Sequence, residues 1–315
     1  MPNAQESVPF LIVAAALALI EFAWRKRSGL GYDLGAFGGH IGIMVGVGIS
    51  RALTGFIIAA VLFAAFSFAP VQWDLNDWRT WVVGFLVLDF FYYWQHRFSH
   101  EVRWGWASHS VHHSTNEFTL PASFRLSWLS TFSLSWLVYV PMALMGFSPI
   151  LITVILAINL RFQYILHTEA IGKLGPLESI FNTPSHHRVH HGSNEEYLDK
   201  NYGGVLIVFD RLFGTFAEER DENPVVYGLT KKLESNNPFV IIFHEWINMG
   251  RDALSAKTGR DIVRALLGRP SDPEPSAETP RVEQATSSLP QEQSSAGHLS
   301  QRAPGPPPTN EYQGI

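Results

Sequence analysis

Ten of the thirteen histidines in this chain of 315 residues stand in three short clusters and at one single site. The first cluster is His96-Arg97-Phe98-Ser99-His100. The second is His109-Ser110-Val111-His112-His113, the third is His186-His187-Arg188-Val189-His190-His191, and His167 stands alone. Residues four apart on a helix share one face, so His96 and His100 can reach one metal ion. The HxxHH spacing of the second cluster, repeated by His187, His190 and His191, gathers three rings within a narrow arc, and His186 sits one turn before His190. Ten imidazoles brought together without a metal would leave polar groups short of partners, at about 1–3 kcal/mol for each one unsatisfied. A metal cluster satisfies them collectively.

The chain has no cysteine. Disulfides, thiolate-ligated haem and cysteine-held iron–sulfur clusters are therefore excluded, and any metal must sit on nitrogen and oxygen ligands. Imidazole suits iron, zinc, copper and nickel, so ligand type does not choose the metal. Ligand number says more: one zinc takes at most about four protein ligands, so eight to ten histidines imply two metals. A pair of irons activates O2, and attack on an unactivated C–H bond in a chain with no haem or flavin motif calls for such a centre. Carboxylates are expected to orient the imidazoles. Asp89, seven residues before His96 on the same helix face, leads that set, with Glu101, Glu169 and Asp199 behind it.

The elements that must position these histidines are apolar. Hydrophobic residues make up 46% of the chain and lie in long blocks, which points to an all-α, integral-membrane helical bundle with the histidine-rich di-metal site capping one end. Val8 to Trp24, followed by Arg25-Lys26-Arg27 and by no small-residue cleavage site, reads as an anchor. Leu34 to Ala69 is too long for one span and is interrupted at Arg51 to Gly55, so two helices, or one helix and a re-entrant piece, are expected there. Trp81 to Trp94 runs straight into His96. Leu126 to Gly146 and Ser148 to Leu166 read as a membrane hairpin, 126–166, that returns the chain to the face it left and brings His167 to the other histidines. Val205, Phe209, Leu212, Phe213 and Phe216 recur at helical spacing, as a short helix packed in the core, on the site or in the membrane interface.

These blocks divide the chain into N-terminal membrane helices (1–75), a catalytic domain (76–230), a C-terminal helical extension (231–268) and a Pro, Ser, Gln and Glu-rich tail (269–315) expected to be disordered. The net charge of -5 and the lack of a Lys/Arg stripe beyond Arg25–Arg27 set nucleic acid aside. A metal transporter would carry polar residues through the middle of several spans, whereas here the histidines bunch at one end. The completeness of the histidine boxes argues against a catalytically silent lipid-binding scaffold. A site supplied with reducing equivalents belongs on the cytoplasmic side of an inner or plasma membrane, which requires one block within 34–69 not to cross.

HRxxH, HxxHH and a final HHRVHH, separated by a membrane hairpin, resemble the fatty acid hydroxylase/sterol desaturase superfamily from about Trp81 to about Thr230. The surroundings are most similar to its alkylglycerol monooxygenase branch: Asp89-Phe90-Phe91-Tyr92-Tyr93-Trp94 before the first box, His167-Thr168-Glu169, Asn182 to Gly192, Asp199-Lys200-Asn201-Tyr202-Gly203-Gly204 and Asp210 to Phe216. The resemblance implies O2- and iron-dependent hydroxylation of a lipid, with two irons held by His96, His100, His109, His112, His113, His187, His190 and His191. It adds His167 and His186 as further ligands or close supports. It also implies an external reductant, tetrahydrobiopterin in that branch or else a reductase or electron carrier, because no GxGxxG follows a strand here. A sterol or carotenoid hydroxylase or desaturase remains the alternative within the superfamily.

Overall fold

Apolar runs closed by capping side chains set the helices. The computed structural model describes residues 4–270, and among them the regular elements are helical. They are α1 (Ala4–Arg27), α2 (Leu34–Ser67), α3 (Trp78–Glu101), α4 (Arg103–His113), α5 (Val140–Leu144), α6 (Pro149–Tyr164), α7 (Pro184–His190), α8 (Val208–Phe213), α9 (Pro238–Ser255) and α10 (Gly259–Leu267). Asp33 starts α2 by accepting from the Ala36 N–H, and Asp77 starts α3 by accepting from that of Arg79. Pro149, Pro184 and Pro238 open α6, α7 and α9 behind the side-chain caps Ser148, Thr183 and Asn237, where a missing N–H costs nothing. Three isolated bridges, among them Phe181–Leu206 and Gly192–Tyr227, are the only β pairing among the described residues.

α1 and α2 are long and apolar enough to cross a membrane. Their large side chains point outward: Ile12, Leu19 and Ile20 on α1 and Ile49, Leu53 and Phe56 on α2 are all more than half exposed. The region 34–69 was expected to break near Arg51, but α2 runs unbroken through Arg51 to Gly55. A lone charge and a lone glycine cost a helix interior only about 1 kcal/mol, too little to end a run this apolar.

The expected hairpin is also different. Its second arm is α6, but residues 126–134 of the first arm form turns, and regular structure resumes only at Ser135. Serines compete for the backbone there: Ser127 Oγ accepts from the Leu129 N–H, and Ser133 Oγ donates to the Ser130 carbonyl. Neither arm has the roughly 20 residues a span needs. The arms pack instead against α2 and α3 around Leu62, Leu88, Met142, Phe147, Leu151 and Ile155. Trp73 stacks on Phe147 with ring centroids 4.9 Å apart. The apolar residues 205–216 include α8, whose Phe209 and Phe213 pack on Phe90, Tyr93 and Trp94. From residue 271 onward the expected tail lies outside the described residues.

Candidate metal centre

α3 and α4 are joined by one extended residue, Val102, so the chain doubles back and sets the ends of both helices side by side. Gly105 permits this approach, since a Cβ there would lie 2.9 Å from the Ser99 Cα. α6 then delivers His167 just past its C-terminus, and the short α7 brings the third cluster across the same end.

Nine of the ten histidines converge into two groups. His96, His100, His109, His113 and His190 form one, and His112, His167, His187 and His191 form the other; within each, one ligand atom per residue lies within 4.8 Å of all the rest. The adjacent pairs His112–His113 and His190–His191 are split between the groups. Consecutive residues on a helix point about 100° apart, so a neighbouring pair cannot face one ion, whereas residues four apart can. Each HxxHH box therefore serves both groups: His109 and His113 go to the first with His112 to the second, and His187 and His191 go to the second with His190 to the first. His186 joins neither. Its ring lies edge-on to Phe216, 5.3 Å between centroids.

Backbone carbonyls fix three rings. Nδ1 of His96, His190 and His167 lies 2.8, 2.9 and 2.8 Å from the carbonyls of Tyr202, Lys200 and Gln163. A carbonyl only accepts, so each Nδ1 carries the proton and each Nε2 presents a lone pair. The lone pair of His96 faces His109 Nε2 at 2.9 Å, and that of His167 faces Nε2 of His112 and His187 at 3.1 and 3.0 Å. Two ligands about 2.1 Å from one ion at right angles lie about 3 Å apart, so these spacings suit metal ligands. Nε2 of His100, His113, His190 and His191 is buried without a partner. Such a set of orphaned nitrogens fits a pair of metal ions, and no cysteine or carboxylate is needed to complete either group.

Burial lowers the pKa of every ring in the two groups, to about 4 for His96 and His167, to about 3 for His100, and well below the ordinary 6.5 for His109, His112, His113, His187, His190 and His191. The rings are neutral at pH 7, the form that binds metal. In the unfolded chain they would take up protons near pH 6.5 that the folded chain refuses. Stability is thus full above about pH 6.5 and falls as pH drops from there toward 4. The thermal midpoint of the metal-free protein should decline steeply across that window; a flat profile would show that these rings are not neutral and buried.

Three of the four candidate carboxylates take other partners. Asp89 is fully buried but accepts from Asn159 Nδ2 and from the N–H groups of Val205 and Leu206, not from an imidazole. Seven residues put it on the face of His96 but about 10 Å up the helix, beyond reach of the ring. Glu101 pairs with Arg97 and Arg269, and Glu169 with Arg25 of α1. Asp199 is the one that meets a histidine, its Oδ1 3.6 Å from His100 Nδ1, from a backbone with φ of +57°. Three supports went unseen in the sequence: Asp210, the carbonyl of Gln163, and the pair Arg188–Glu219 beneath the third box. Asp210 lies within the quoted 210–216 motif, which was the available signal.

Residues 81–215 match the profile of the fatty acid hydroxylase family. Over this segment the chain is similar to fatty acid hydroxylase domains. The segment begins where the resemblance begins, at Trp81, and takes in all nine grouped histidines. The chain is 49% identical over 174 residues to the alkylglycerol monooxygenase of Homo sapiens, covering 55% of this chain and 38% of that protein. It is 39% identical over 241 residues to that of Xenopus tropicalis, covering 75% and 51%. It is 28% identical over 239 residues to an ornithine lipid hydroxylase of Rhizobium tropici, covering 72% and 71%. The match thus spans from about a third to about half the length of the alkylglycerol monooxygenases. No solved structure matches the chain.

Proposed function

We propose that this chain is a membrane-bound, O2-dependent di-iron hydroxylase that places an alcohol on an aliphatic carbon of a polar lipid. The observation that carries the reading is the pair of histidine groups, five rings and four, buried side by side with their lone pairs turned inward. Two irons, when bound, supply the reductive activation of O2 that an unactivated C–H bond demands. One oxygen atom enters the C–H bond, the other leaves as water, and two electrons and two protons come from an external donor, a pterin or a separate electron carrier.

The chain's own residues hold and shelter that chemistry. Carbonyls lock the tautomers of His96, His167 and His190. Phe118, fully buried, stacks on His167 on one side and on Tyr227 on the other, with centroids 5.5 and 5.0 Å away, and excludes water from the four-histidine group. The C-terminal turn of α1 lies at the same end, where Arg25 reaches Glu169 two residues past His167. A basic run Arg25–Arg27 at the histidine end favours a cytoplasmic site by the bias of Lys and Arg toward that side. A single α2 supplies the reduced number of crossings that this placement needs.

The test is metal content and O2-dependent turnover of the purified protein beside His112→Ala and His190→Ala, one from each group. The panel comprises alkylglycerols, ornithine lipids, other fatty acyl lipids, sterols and carotenoids. About two irons per chain, with turnover on a polar lipid lost in both variants, is expected. Turnover indifferent to both changes, or a chain that binds no metal, would overturn the reading.

A further inference from the structure

We infer that Asp210 is a positioning residue for the five-histidine group alone, acting through the segment Asp199–Leu206 that straps the first and third histidine boxes together. The inference rests on the proposed metal-binding function. Two of the five histidines hydrogen-bond to this strap, His190 to the Lys200 carbonyl and His96 to the Tyr202 carbonyl, and the Asp199 carboxylate stands 3.6 Å from Nδ1 of a third, His100. Among the described residues no histidine of the four-membered group hydrogen-bonds to it; His167 uses the Gln163 carbonyl of α6 instead.

Two buried carboxylates hold the strap by its N–H groups. Asp210 accepts from Tyr202 N–H through Oδ1 and from Gly203 N–H through Oδ2, each at 2.7 Å, and from the Thr215 hydroxyl at 2.7 Å. Asp89 accepts from the N–H groups of Val205 and Leu206 at 3.1 and 2.9 Å. Asn201 ties the middle down, donating to the carbonyls of His186 and Ala217. Glycine at 203 lets the backbone come this close, since a Cβ there would stand 2.9 Å from Asp210 Oδ2. The peptide plane that offers the Tyr202 carbonyl to His96 is the one whose N–H, on Gly203, is pinned by Asp210. Both ends of one rigid peptide are therefore fixed, and with them the direction of the His96 lone pair.

Asparagine at 210 keeps one acceptor oxygen and turns an amide donor toward the other N–H, so the strap loses half its grip. The experiment loads the metal-free chain of 315 residues with Co2+ and dialyses it against a graded chelator. Bound metal is measured together with the visible absorption of the two cobalt sites. Wild type should hold two ions. D210N should release one of them at about 10- to 100-fold lower chelator while holding the other as tightly as wild type does. T215V, which removes one donor to the carboxylate together with the Thr215 partner of the Tyr93 hydroxyl, should weaken the same ion by less and secures the test where D210N folds poorly. M142A, a core change in the packing of α3 with α5 and α6, should lower thermal stability and keep both ions. Two ions held equally tightly in D210N and T215V, both ions weakened together, or the same single loss in M142A would overturn the positioning role. Wild type that binds no cobalt would instead sink the proposed function and this inference with it.

Discussion

His190→Ala and His191→Ala, neighbouring changes of one chemistry, are expected to empty different metal positions. His190 belongs with His96, His100, His109 and His113, and His191 with His112, His167 and His187. Removing one of five ligands leaves four, and removing one of four leaves three, so the loss of metal should be deeper in His191→Ala. Even changes outside the ligand set typically cost such sites 10- to 100-fold in affinity or activity. Loss of a ligand should therefore lower O2-dependent turnover at least about a hundredfold in both variants. Combining His190→Ala with His113→Ala, both in the first group, should leave the second ion in place, whereas combining it with His191→Ala should leave none. Chelator titration of cobalt-loaded protein separates these patterns. One common pattern for all four variants would mean a single shared site and would refute the split.

The sequence carried the clustered histidines but not their partition into two groups. Spacing alone makes His96 and His100 a pair, and the structure keeps them together; the same rule read on HxxHH suggested three rings in one arc, although the arc is wide enough to feed two centres. His186 was unreadable for a related reason. Its spacing to His190 is as good as that of His187 to His191, yet its ring packs edge-on to Phe216. The supporting carboxylates were the weakest inference, because support crosses the chain. Asp89 and Val205 are 116 residues apart, and Arg188 and Glu219 are 31 apart. Helix phase predicts a face, not which distant loop will cover it. The long apolar runs identified α1, α3 and α6 well, and located α2 but wrongly broke it near Arg51. The first hairpin arm failed because hydrophobicity cannot register the serines that draw the 126–134 backbone into turns.

These supports share one logic. Each histidine group is held from outside, the first by the strap and its two buried carboxylates and the second by the α6 terminus and the Arg188 anchor. α1 adds a further tie, since Glu21, nearly fully buried, accepts from the N–H of Leu120 and from the hydroxyl of Thr168, next to His167. A long apolar helix is in this way connected to the four-histidine group by two buried charges, Glu21 and Arg25.

Arg188 is the change expected to cost the fold most. It stands in α7 between His187 and His190 and is 7% exposed. Its Nε and Nη2 donate to both oxygens of Glu219 at 2.7 Å, and Nη1 reaches the carbonyls of Ile171 and Thr168 at 2.7 and 3.1 Å. Arg188→Met fills the same space but leaves a largely buried carboxylate and two carbonyls without a donor. Breaking one partner of such a pair costs about 3–5 kcal/mol. Arg188→Lys should recover only part of this, because an ammonium cannot span a carboxylate fork and two carbonyls at once. Arg188→Met with Glu219→Leu should be more stable than Arg188→Met alone, since the stranded charge is gone. Burial pushes the Glu219 carboxyl up, but its bonds to Arg188 and Ser185 outweigh that and hold it below the ordinary 4.5. The pair therefore stabilises fully above about pH 4.5 and fades as pH falls further. Chemical denaturation of the metal-free protein at pH 7 measures the cost, and a loss under about 1 kcal/mol in Arg188→Met would reduce the contact to the worth of a surface ion pair.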